Sequence, residues 1–292
     1  MRRHAFLILA LSALLGVPRA LPAKDKKVTA PPARAVNLTD AEQEKFLRTA
    51  KIIKTTGARK GVTNSSRVTM TDGNITHDAH VQCIDEAKHE YKTDRGTELN
   101  FKDTYKFNIA GYRLARLVGI QNTPAYIERK VGGKSCSVSW WVDNFMMDEA
   151  DRKKKKMEAP NPEAWNDQIY VLRVYDQLIQ NVDSNLTNLL ILNNWDIQMI
   201  DHTRSFRLSH KLENPKNLVK CERTLLANLR ALKKDVVMKQ LMPYCTKSEA
   251  EAVMARRDAI VQFFDEQIKQ KGETAVLYDL PTKIKSMTVD TK

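Results

Sequence analysis

Hydrophobic and polar positions change their periodicity several times along the chain. The first helical pattern begins at Thr39, where Thr39 and Glu42 form a capping box and Leu38 is placed as its hydrophobic staple. From Ile52 to Asp85 apolar and polar residues alternate as in β-strands, and Asp72-Gly73 is a strong hairpin signal. The pattern therefore predicts one helix followed by antiparallel strands.

The next stretch predicts a loop, a helix and two more strands. Residues 89–98 are polar and predict a loop, and Asn100 is placed to cap a helix from Phe101 to Val118. Apolar runs at 125–130 and 135–142 predict two strands joined by a glycine turn. We therefore predict that residues 39–143 form a compact α+β lobe.

A charged run at residues 148–157, followed by two prolines, marks a boundary. Its four consecutive lysines predict a solvated helix face, with a phosphate-binding patch as the alternative. Beyond it, Asn161-Pro162 predicts the start of a long helix, and short strands at 189–192 and 197–200 precede three more helices. We predict a mainly helical lobe over residues 144–278 and a disordered tail over 279–292.

The first 23 residues predict a secretory signal peptide. Arg2 and Arg3 precede an apolar run at residues 5–16, and the small residues Ala20 and Ala23 follow it. The run is shorter than the roughly 20 residues that a membrane-spanning helix needs. We expect cleavage at a site that the sequence leaves open, export to the periplasm or outside, and a flexible lead-in over residues 24–38.

The remaining composition is that of an ordinary globular protein, with 42% hydrophobic and 28% charged residues. No later stretch is apolar enough to cross a bilayer, so we expect no transmembrane segment once the chain is processed. Removing residues 1–23 deletes Arg2, Arg3 and Arg19, which lowers the formal charge from +13 to +10. A basic surface favours phosphate-rich partners, but no residue pattern predicts a specific nucleic-acid interface.

Four cysteines remain after the predicted cleavage, and their spacing does not suggest zinc. In an oxidising compartment they allow three pairings, and buried free thiols are equally compatible with the sequence. The four are Cys83, Cys136, Cys221 and Cys245.

The chemistry is concentrated between Asn181 and Arg207. Asp183 lies five residues before Asn188, the D-x-x-x-x-N spacing of a phosphotransfer catalytic loop. In that arrangement the aspartate orients the attacking hydroxyl and the asparagine oxygen binds a metal ion. Asp201, at the end of a predicted strand, can bind a magnesium ion that bridges nucleotide phosphates. The alternative is a turn rich in Asx residues, with Asp201 as a cap.

These segments resemble a known group. Residues 182–191 and 200–206 are similar to the catalytic and metal-binding loops of the atypical protein-kinase-like superfamily, and residues 101–119 resemble its N-lobe helix. This superfamily includes phosphoinositide 3/4-kinases, HipA-type bacterial kinases and secretory-pathway kinases. The resemblance implies an α+β, two-lobed kinase-like fold in a bacterial exported member. It also implies ATP with Mg²⁺ or Mn²⁺ as cofactors, Asp183 as the catalytic residue, and Asn188 and Asp201 as metal ligands.

Several positions depart from the superfamily pattern. Ser184 follows Asp183 where these families often have Arg or His, and His202-Thr203 replaces Phe-Gly. On the strand that should carry the phosphate-binding lysine, that position is Gln82. Lys88, at the strand exit, is the candidate to reach the phosphates instead, although a solvent lysine needs no such role. Asp103 or Glu98 is expected as the acidic partner of that lysine on the helix.

Other candidate nucleotide contacts rest on weaker signals. Gly57 and Gly61 could let a loop approach phosphates, or they could be ordinary turn glycines. Trp141 and Asp143 fall where the lobes join and a base would bind, although paired tryptophans are more often core residues. Arg204 and Arg207 could touch a phosphate or an acidic substrate, or pair with Glu213 or Asp176.

Three functions are compatible with this pattern. The first is a metal-dependent phosphotransferase that uses ATP and acts on a hydroxyl of a protein, a lipid or a small molecule. The second is a catalytically inactive pseudokinase that serves as a binding scaffold, which Gln82, Ser184 and the scarcity of ATP outside the cytoplasm favour. The third is transfer of AMP on the same fold.

Overall fold

The computed structural model describes residues 38–57, 65–93 and 96–280. The predicted signal peptide, the lead-in up to residue 37, Gly61 and residues 281–292 of the predicted tail lie outside the described residues. Within the described ranges, no helix is both long and apolar enough to span a bilayer.

The N-terminal lobe is built on a five-stranded antiparallel sheet in the order β1-β2-β3-β7-β6. One face of the sheet carries the apolar cross-strand neighbours Val68, Ala79 and Trp140. It packs against the first helix, where the Phe46 ring lies 5.5 Å from the Trp140 ring. The strands are β1 (Lys51–Gly57), β2 (Ser65–Thr71), β3 (Thr76–Gln82), β6 (Tyr126–Val131) and β7 (Lys134–Trp140).

The predicted capping box of helix α1 (Asp40–Thr49) is present. The Thr39 hydroxyl accepts a hydrogen bond from the Glu42 N–H, and the Glu42 carboxylate accepts one from the Thr39 N–H at 2.7 Å. This reciprocal capping satisfies backbone donors that the first helical turn leaves open. The strand predictions on either side of Asp72-Gly73 and of Gly132-Gly133 are confirmed too.

The loop predicted at residues 89–98 is wrong. Strands β4 (Asp85–Thr93) and β5 (Gly96–Thr104) form a separate antiparallel hairpin there. Its strands are largely exposed, so they show little of the apolar alternation that a half-buried strand needs. Cross-strand contacts hold the pair together instead, such as the stack of the Tyr91 and Phe101 rings at 4.2 Å.

The start of the next helix is also corrected. Helix α2 runs over Tyr105–Leu117 and is capped by Thr104, whose hydroxyl accepts a hydrogen bond from the Lys106 N–H. Asn100, the expected cap, lies within β5 and has a φ of 53°. The extended pairing of Phe101 to Thr104 with β4 outweighs the local helical pattern of these residues.

The C-terminal lobe is mainly helical around one large apolar core, so the predicted two-lobed α+β fold is confirmed. A small sheet in the order β10-β9-β8 lies in this lobe and contains the predicted hairpin. The strands and helices of the C-terminal lobe are β8 (Phe145–Asp148), α3 (Glu149–Lys154), α4 (Pro162–Ile179), β9 (Leu189–Leu192), β10 (Ile197–Met199), β11 (Cys221–Glu222), α5 (Arg223–Ala231), α6 (Lys234–Leu241), α7 (Lys247–Lys271), α8 (Glu273–Val276) and β12 (Leu277–Tyr278).

A buried guanidinium from α7 joins several parts of this lobe. Arg256 has an exposed fraction of 0% and donates to the Leu178 carbonyl, the Gln180 side chain, and the Arg207 and Ser209 carbonyls. Burial lowers the pKa of Arg256 to about 10, so the side chain stays charged at neutral pH. Its acceptors flank the two segments that carry the predicted chemistry.

The cysteine pairing is decided by the fold. Cys83, directly after β3, forms a disulfide with Cys136 on β7. Cys221 and Cys245 are buried free thiols, and burial raises the pKa of Cys221 to about 12. The bridge therefore staples two central strands of the N-terminal sheet.

Removing this bridge should destabilise the N-terminal lobe. The bonded cysteines are 53 residues apart, and closing a loop of that size contributes roughly 2 to 4 kcal/mol. The double substitution Cys83→Ser with Cys136→Ser should lower the melting temperature, and dithiothreitol should lower that of the wild type but not of the double variant. Identical melting of the wild type with and without reductant would contradict the assignment.

Arg256→Met should destabilise the C-terminal lobe by about 3–5 kcal/mol, because it leaves several buried acceptors without a donor. The measurement is urea unfolding followed by circular dichroism. Arg173→Met, at an exposed position of α4, is the matched control and should change the unfolding free energy by at most about 0.5 kcal/mol. Equal effects of the two substitutions would exclude the role assigned to Arg256.

Candidate nucleotide and metal site

The candidate catalytic loop begins where α4 ends. Gln180 adopts a left-handed conformation with a φ of 47° and turns the chain out of the helix. The Asp183 N–H donates to the Asn181 side chain at 3.1 Å, and the Asn185 N–H donates to the Asp183 carbonyl at 2.7 Å. The Asp183 side chain is exposed. This turn presents the carboxylate to solvent, where an acceptor hydroxyl can approach it.

Backbone hydrogen bonds bring the three predicted residues onto neighbouring segments. The β9–β10 hairpin returns the chain so that the Ile200 N–H donates to the Asn188 carbonyl at 3.0 Å. The Val182 N–H approaches the Arg204 carbonyl at 3.5 Å. The first bond places Asn188 beside Ile200, the residue before Asp201. The second places Val182, the residue before Asp183, beside Arg204. The fold therefore assembles the set that the spacing predicts, while the chemical roles of its members stay predictions.

Asp201 sits in a conformation that few non-glycine residues adopt. Its φ is 58°, in the left-handed region that costs free energy for a residue with a Cβ. Its carboxylate accepts a hydrogen bond from the Thr203 hydroxyl at 2.9 Å, which holds the side chain in place. Such backbone strain is typical of functional sites.

The donors around Asp201 suit a hard divalent cation. Asp201 offers a carboxylate and Asn188 an amide oxygen, both ligand types that Mg²⁺ and Mn²⁺ accept. In the described ranges no cluster of three or more His, Cys, Asp or Glu side chains is arranged around a metal position. A bound ion would therefore also need phosphate oxygens or water, as is common for Mg²⁺.

Asp103 on β5 adds an unexpected acidic group. Its Oδ1 atom is buried and lacks a hydrogen-bond partner among the described residues. Burial raises the pKa of Asp103; contact with Thr203 opposes this rise and the charge of Asp201 adds to it. A buried oxygen without a partner beside a second carboxylate fits a nearby cation. The sequence suggested Asp103 only as a lysine partner, because the hairpin that carries it was not predicted.

The expected lysine–carboxylate pair is replaced by two amides. Gln82 is buried at the end of β3, and its Oε1 accepts a hydrogen bond from Asn108 of α2 at 2.8 Å. The expected acidic partners on this helix are wrong, because Asp103 and Glu98 both lie on β5. The helix position that faces β3 is neutral.

His80 is a cleft residue that the sequence did not reveal. It lies two residues before Gln82 on β3, and its cross-strand neighbours are Arg67 and Ser139. Burial lowers the pKa of His80, and the charge of Asp201 works in the opposite direction. An imidazole therefore lies within electrostatic reach of the predicted metal ligand. Strand alternation from Gln82 was the signal that could have identified it.

Lys88 lies on the β4–β5 hairpin, where its ammonium and the Arg204 guanidinium are both within 5.5 Å of the Phe101 ring centroid. The Lys88 ammonium donates to Glu86 at 2.9 Å and lies over the Tyr91 and Phe101 rings of the β4–β5 hairpin. Gly57 ends β1, and Gly61 is outside the described residues. The hairpin contacts account for Lys88 without a nucleotide.

Asp143 and Trp141 at the lobe junction already have protein partners. The Asp143 carboxylate lies 3.0 Å from His77 Nε2 and accepts from the Trp140 indole at 3.2 Å. Burial opposes ionisation of Asp143, but these contacts outweigh it and lower its pKa. The Arg67 guanidinium covers the Trp141 ring at 4.2 Å. A base at this junction would have to share or displace these contacts.

Arg204 and Arg207 pair with a carboxylate other than the two that the sequence suggested. Both guanidinium groups bind Glu98 of β5, not Glu213 or Asp176. Arg207 also donates to the Asn100 carbonyl at 3.3 Å. These contacts fasten the β4–β5 hairpin to the segment that follows Asp201.

A groove of about 770 Å³ opens beside the candidate catalytic loop. Val182, the neighbour of Asp183, forms part of its wall, together with Leu99 and Leu208, whose side chains are exposed. Lys102 and Glu249 lie opposite and form an ion pair. The groove therefore offers mixed apolar and polar space next to the exposed Asp183 carboxylate.

Asp176 anchors the catalytic loop to α4. It accepts hydrogen bonds from the Ser184 hydroxyl at 3.3 Å and from the Asn181 amide at 3.5 Å. Burial raises the pKa of Asp176 to about 6, although these hydrogen bonds oppose the rise. The carboxylate is thus ionised at neutral pH at a cost in stability.

We expect Asp176 to make stability depend on pH. Because its folded pKa is raised, its contribution is fully present below pH 4 and is lost as the pH rises from about 4 to about 6. The loss is at most about 3 kcal/mol. Melting temperatures across this range should fall more steeply for the wild type than for Asp176→Asn. Parallel curves would show that Asp176 does not titrate there.

Comparison with known proteins identifies proteins of similar fold. No known protein family matches the sequence, and no curated protein matches it. Among solved structures, hydra Fam20 with sugar is similar with a TM-score of 0.57, 14% identity, and coverage of 82% of this chain and 93% of that one. The Golgi casein kinase is similar with a TM-score of 0.53, 14% identity, and coverage of 83% and 80%.

A kinase from Helicobacter pylori, the proinflammatory kinase CtkA, is more distant, with a TM-score of 0.43, 10% identity, and coverage of 73% and 91%. Identities this low support a shared fold and nothing finer. This chain therefore has a kinase-like fold, similar to that of hydra Fam20 and of the Golgi casein kinase, and the predicted fold is confirmed.

Proposed function

We propose that this protein is an exported, metal-dependent phosphotransferase that uses ATP. The observation that carries the proposal is the arrangement of Asp183, Asn188 and Asp201 on segments joined by backbone hydrogen bonds in a kinase-like fold. Phosphoryl transfer needs mainly positioning, which Asp183 supplies, and neutralisation of charge, for which Asn188 and Asp201 hold a metal ion.

The members of the set divide two tasks between them in this proposal. The exposed Asp183 carboxylate orients the acceptor hydroxyl and receives its proton. Asn188 and Asp201 hold a Mg²⁺ or Mn²⁺ ion, which supplies positive charge to the phosphates when it is bound. Asp176 and Asn181 hold the loop that carries Asp183.

The acceptor is a hydroxyl of a protein, a lipid or a small molecule such as a sugar. The hydra Fam20 structure contains a sugar and the Golgi enzyme is a casein kinase, which supports considering sugars and proteins among the acceptors. The groove beside Val182 is the space in which such an acceptor would lie. The Cys83–Cys136 disulfide supports export, because disulfides persist mainly in oxidising compartments.

One observation favours a second function. The neutral Gln82–Asn108 pair stands where a lysine–carboxylate pair is expected, and Lys88 is paired with Glu86. A nucleotide-binding scaffold without catalysis needs no lysine–carboxylate pair. The two functions differ in whether phosphate is transferred after ATP has bound.

The first experiment follows melting temperature as ATP is added with Mg²⁺ or Mn²⁺. We expect an upward shift that requires metal and is lost in Asp201→Ala, because ligands that bind only the folded state stabilise it. Asp235→Ala, an exposed substitution in the first turn of α6, is the control and should retain the shift. No shift with either metal would refute the nucleotide site.

The second experiment separates the enzyme from the scaffold. Purified protein is incubated with γ-labelled ATP and Mn²⁺, and release or transfer of the labelled phosphate is measured. We expect Asp183→Asn to retain the ATP-induced melting shift and to lower turnover at least 100-fold, in the range of general-base losses. A wild type that binds ATP but turns over no faster than Asp183→Asn would favour the scaffold.

A further inference from the structure

We propose that Asn108 is a positioning residue. Through a chain of neutral hydrogen bonds it fixes the metal-binding segment to β3, and this chain leaves the compensation of phosphate charge to the bound metal. The inference rests on the proposed function, because it concerns the same nucleotide site. It adds a specific residue and a specific dependence of ATP binding on metal.

The geometry shows Asn108 using both ends of its amide. Its Nδ2 donates to Gln82 Oε1 at 2.8 Å and lies 3.3 Å from Ser137 Oγ. Its Oδ1 accepts the His202 N–H at 2.7 Å. All four residues are buried, with Asn108 at 0% exposure. The amide therefore connects β3, β7 and the residue after Asp201.

The amide makes this set of contacts with one donor end and one acceptor end. A carboxylate at position 108 could still accept from the His202 N–H but would have no donor for Gln82 Oε1. An uncompensated buried carboxylate would also carry a large desolvation cost. The contact between Gln82 and Asn108 is thus a hydrogen bond between two neutral amides, in contrast to a lysine–glutamate pair.

Close packing keeps α2 against the metal-binding segment. A Cβ atom at Gly111 would lie 2.8 Å from the His202 ring, so a larger residue at this position would clash with the ring unless the ring moved. The Tyr175 hydroxyl donates to the Gly111 carbonyl, and the Thr104 N–H donates to the Thr203 carbonyl at 3.0 Å. The position of His202, and with it Asp201, is therefore coupled to α2.

Among the described residues, the ion pairs of the positive side chains support the dependence on metal. Arg67, Lys102 and Arg204 each form an ion pair with a carboxylate. At the strand position where a kinase presents its lysine, this chain presents the Gln82 amide. ATP carries several negative charges that must be compensated in a partly buried site. A divalent ion held by Asn188 and Asp201 supplies this compensation.

The test uses isothermal titration of ATP into the purified protein, either with Mn²⁺ or with EDTA. For the wild type we expect ATP to bind at least tenfold more weakly in EDTA. The variant Gln82→Lys keeps the Asn108 acceptor for the His202 N–H and adds one positive charge that no new carboxylate cancels. It should bind ATP in EDTA at least tenfold more tightly than the wild type does.

A second arm tests positioning. Asn108→Ala removes the hydrogen bond to His202 and should weaken Mn²⁺ binding, measured by electron paramagnetic resonance, at least tenfold. Asn228→Ala is the matched control, because Asn228 also donates from a half-buried amide, to the Val118 carbonyl, but in the helical lobe. If Asn108→Ala does not fold, Asn108→Ser, which keeps a small polar group, takes its place.

The outcomes separate the two proposals. ATP binding that EDTA leaves unchanged, or Mn²⁺ binding that is equal in the Asn108 and Asn228 variants, would overturn this inference while the nucleotide site stood. A wild type that bound neither ATP nor Mn²⁺ would overturn the proposed function, and the inference would fail with it.

Discussion

The candidate site depends on the buried guanidinium of Arg256. Its acceptors at Leu178 and Gln180 lie just before the candidate catalytic loop, and those at Arg207 and Ser209 lie just after the metal-binding segment. One side chain of α7 therefore fixes the ends of both segments. The Nε and Nη1 donors are matched with these acceptors, whereas the buried Nη2 has no partner among the described residues, so the guanidinium depends on the loops for its hydrogen bonds.

The site is asymmetric in charge. Asp183 and Asp201 offer carboxylates on its C-terminal side and Asp103 offers one on β5, whereas the strand and helix positions of a lysine–glutamate pair hold the amides of Gln82 and Asn108. A site of this kind has to obtain positive charge from an ion or from residues that move. This asymmetry explains why one fold can be compatible both with a metal-dependent enzyme and with a scaffold that has lost its chemistry.

Local patterns predicted much of the fold. The capping box at Thr39, the hairpin at Asp72-Gly73 and the strands around Asn193-Asn194 rest on interactions between residues close in sequence, so short-range rules identified them. The β4–β5 hairpin was missed because its exposed strands carry little apolar alternation. The positions of Asp103, Glu98 and Lys88 were therefore not predicted either, because all three lie on that hairpin.

The sequence by itself determined the spacing of Asp183, Asn188 and Asp201, the two-lobed α+β class and the absence of a lysine at Gln82. Tertiary structure alone decided the Cys83–Cys136 pairing, the pairing of Arg204 and Arg207 with Glu98, and the choice of Asn108 as the partner of Gln82. These contacts join residues 26 to 109 positions apart. No local periodicity encodes which distant side chains meet, because that depends on how the elements pack.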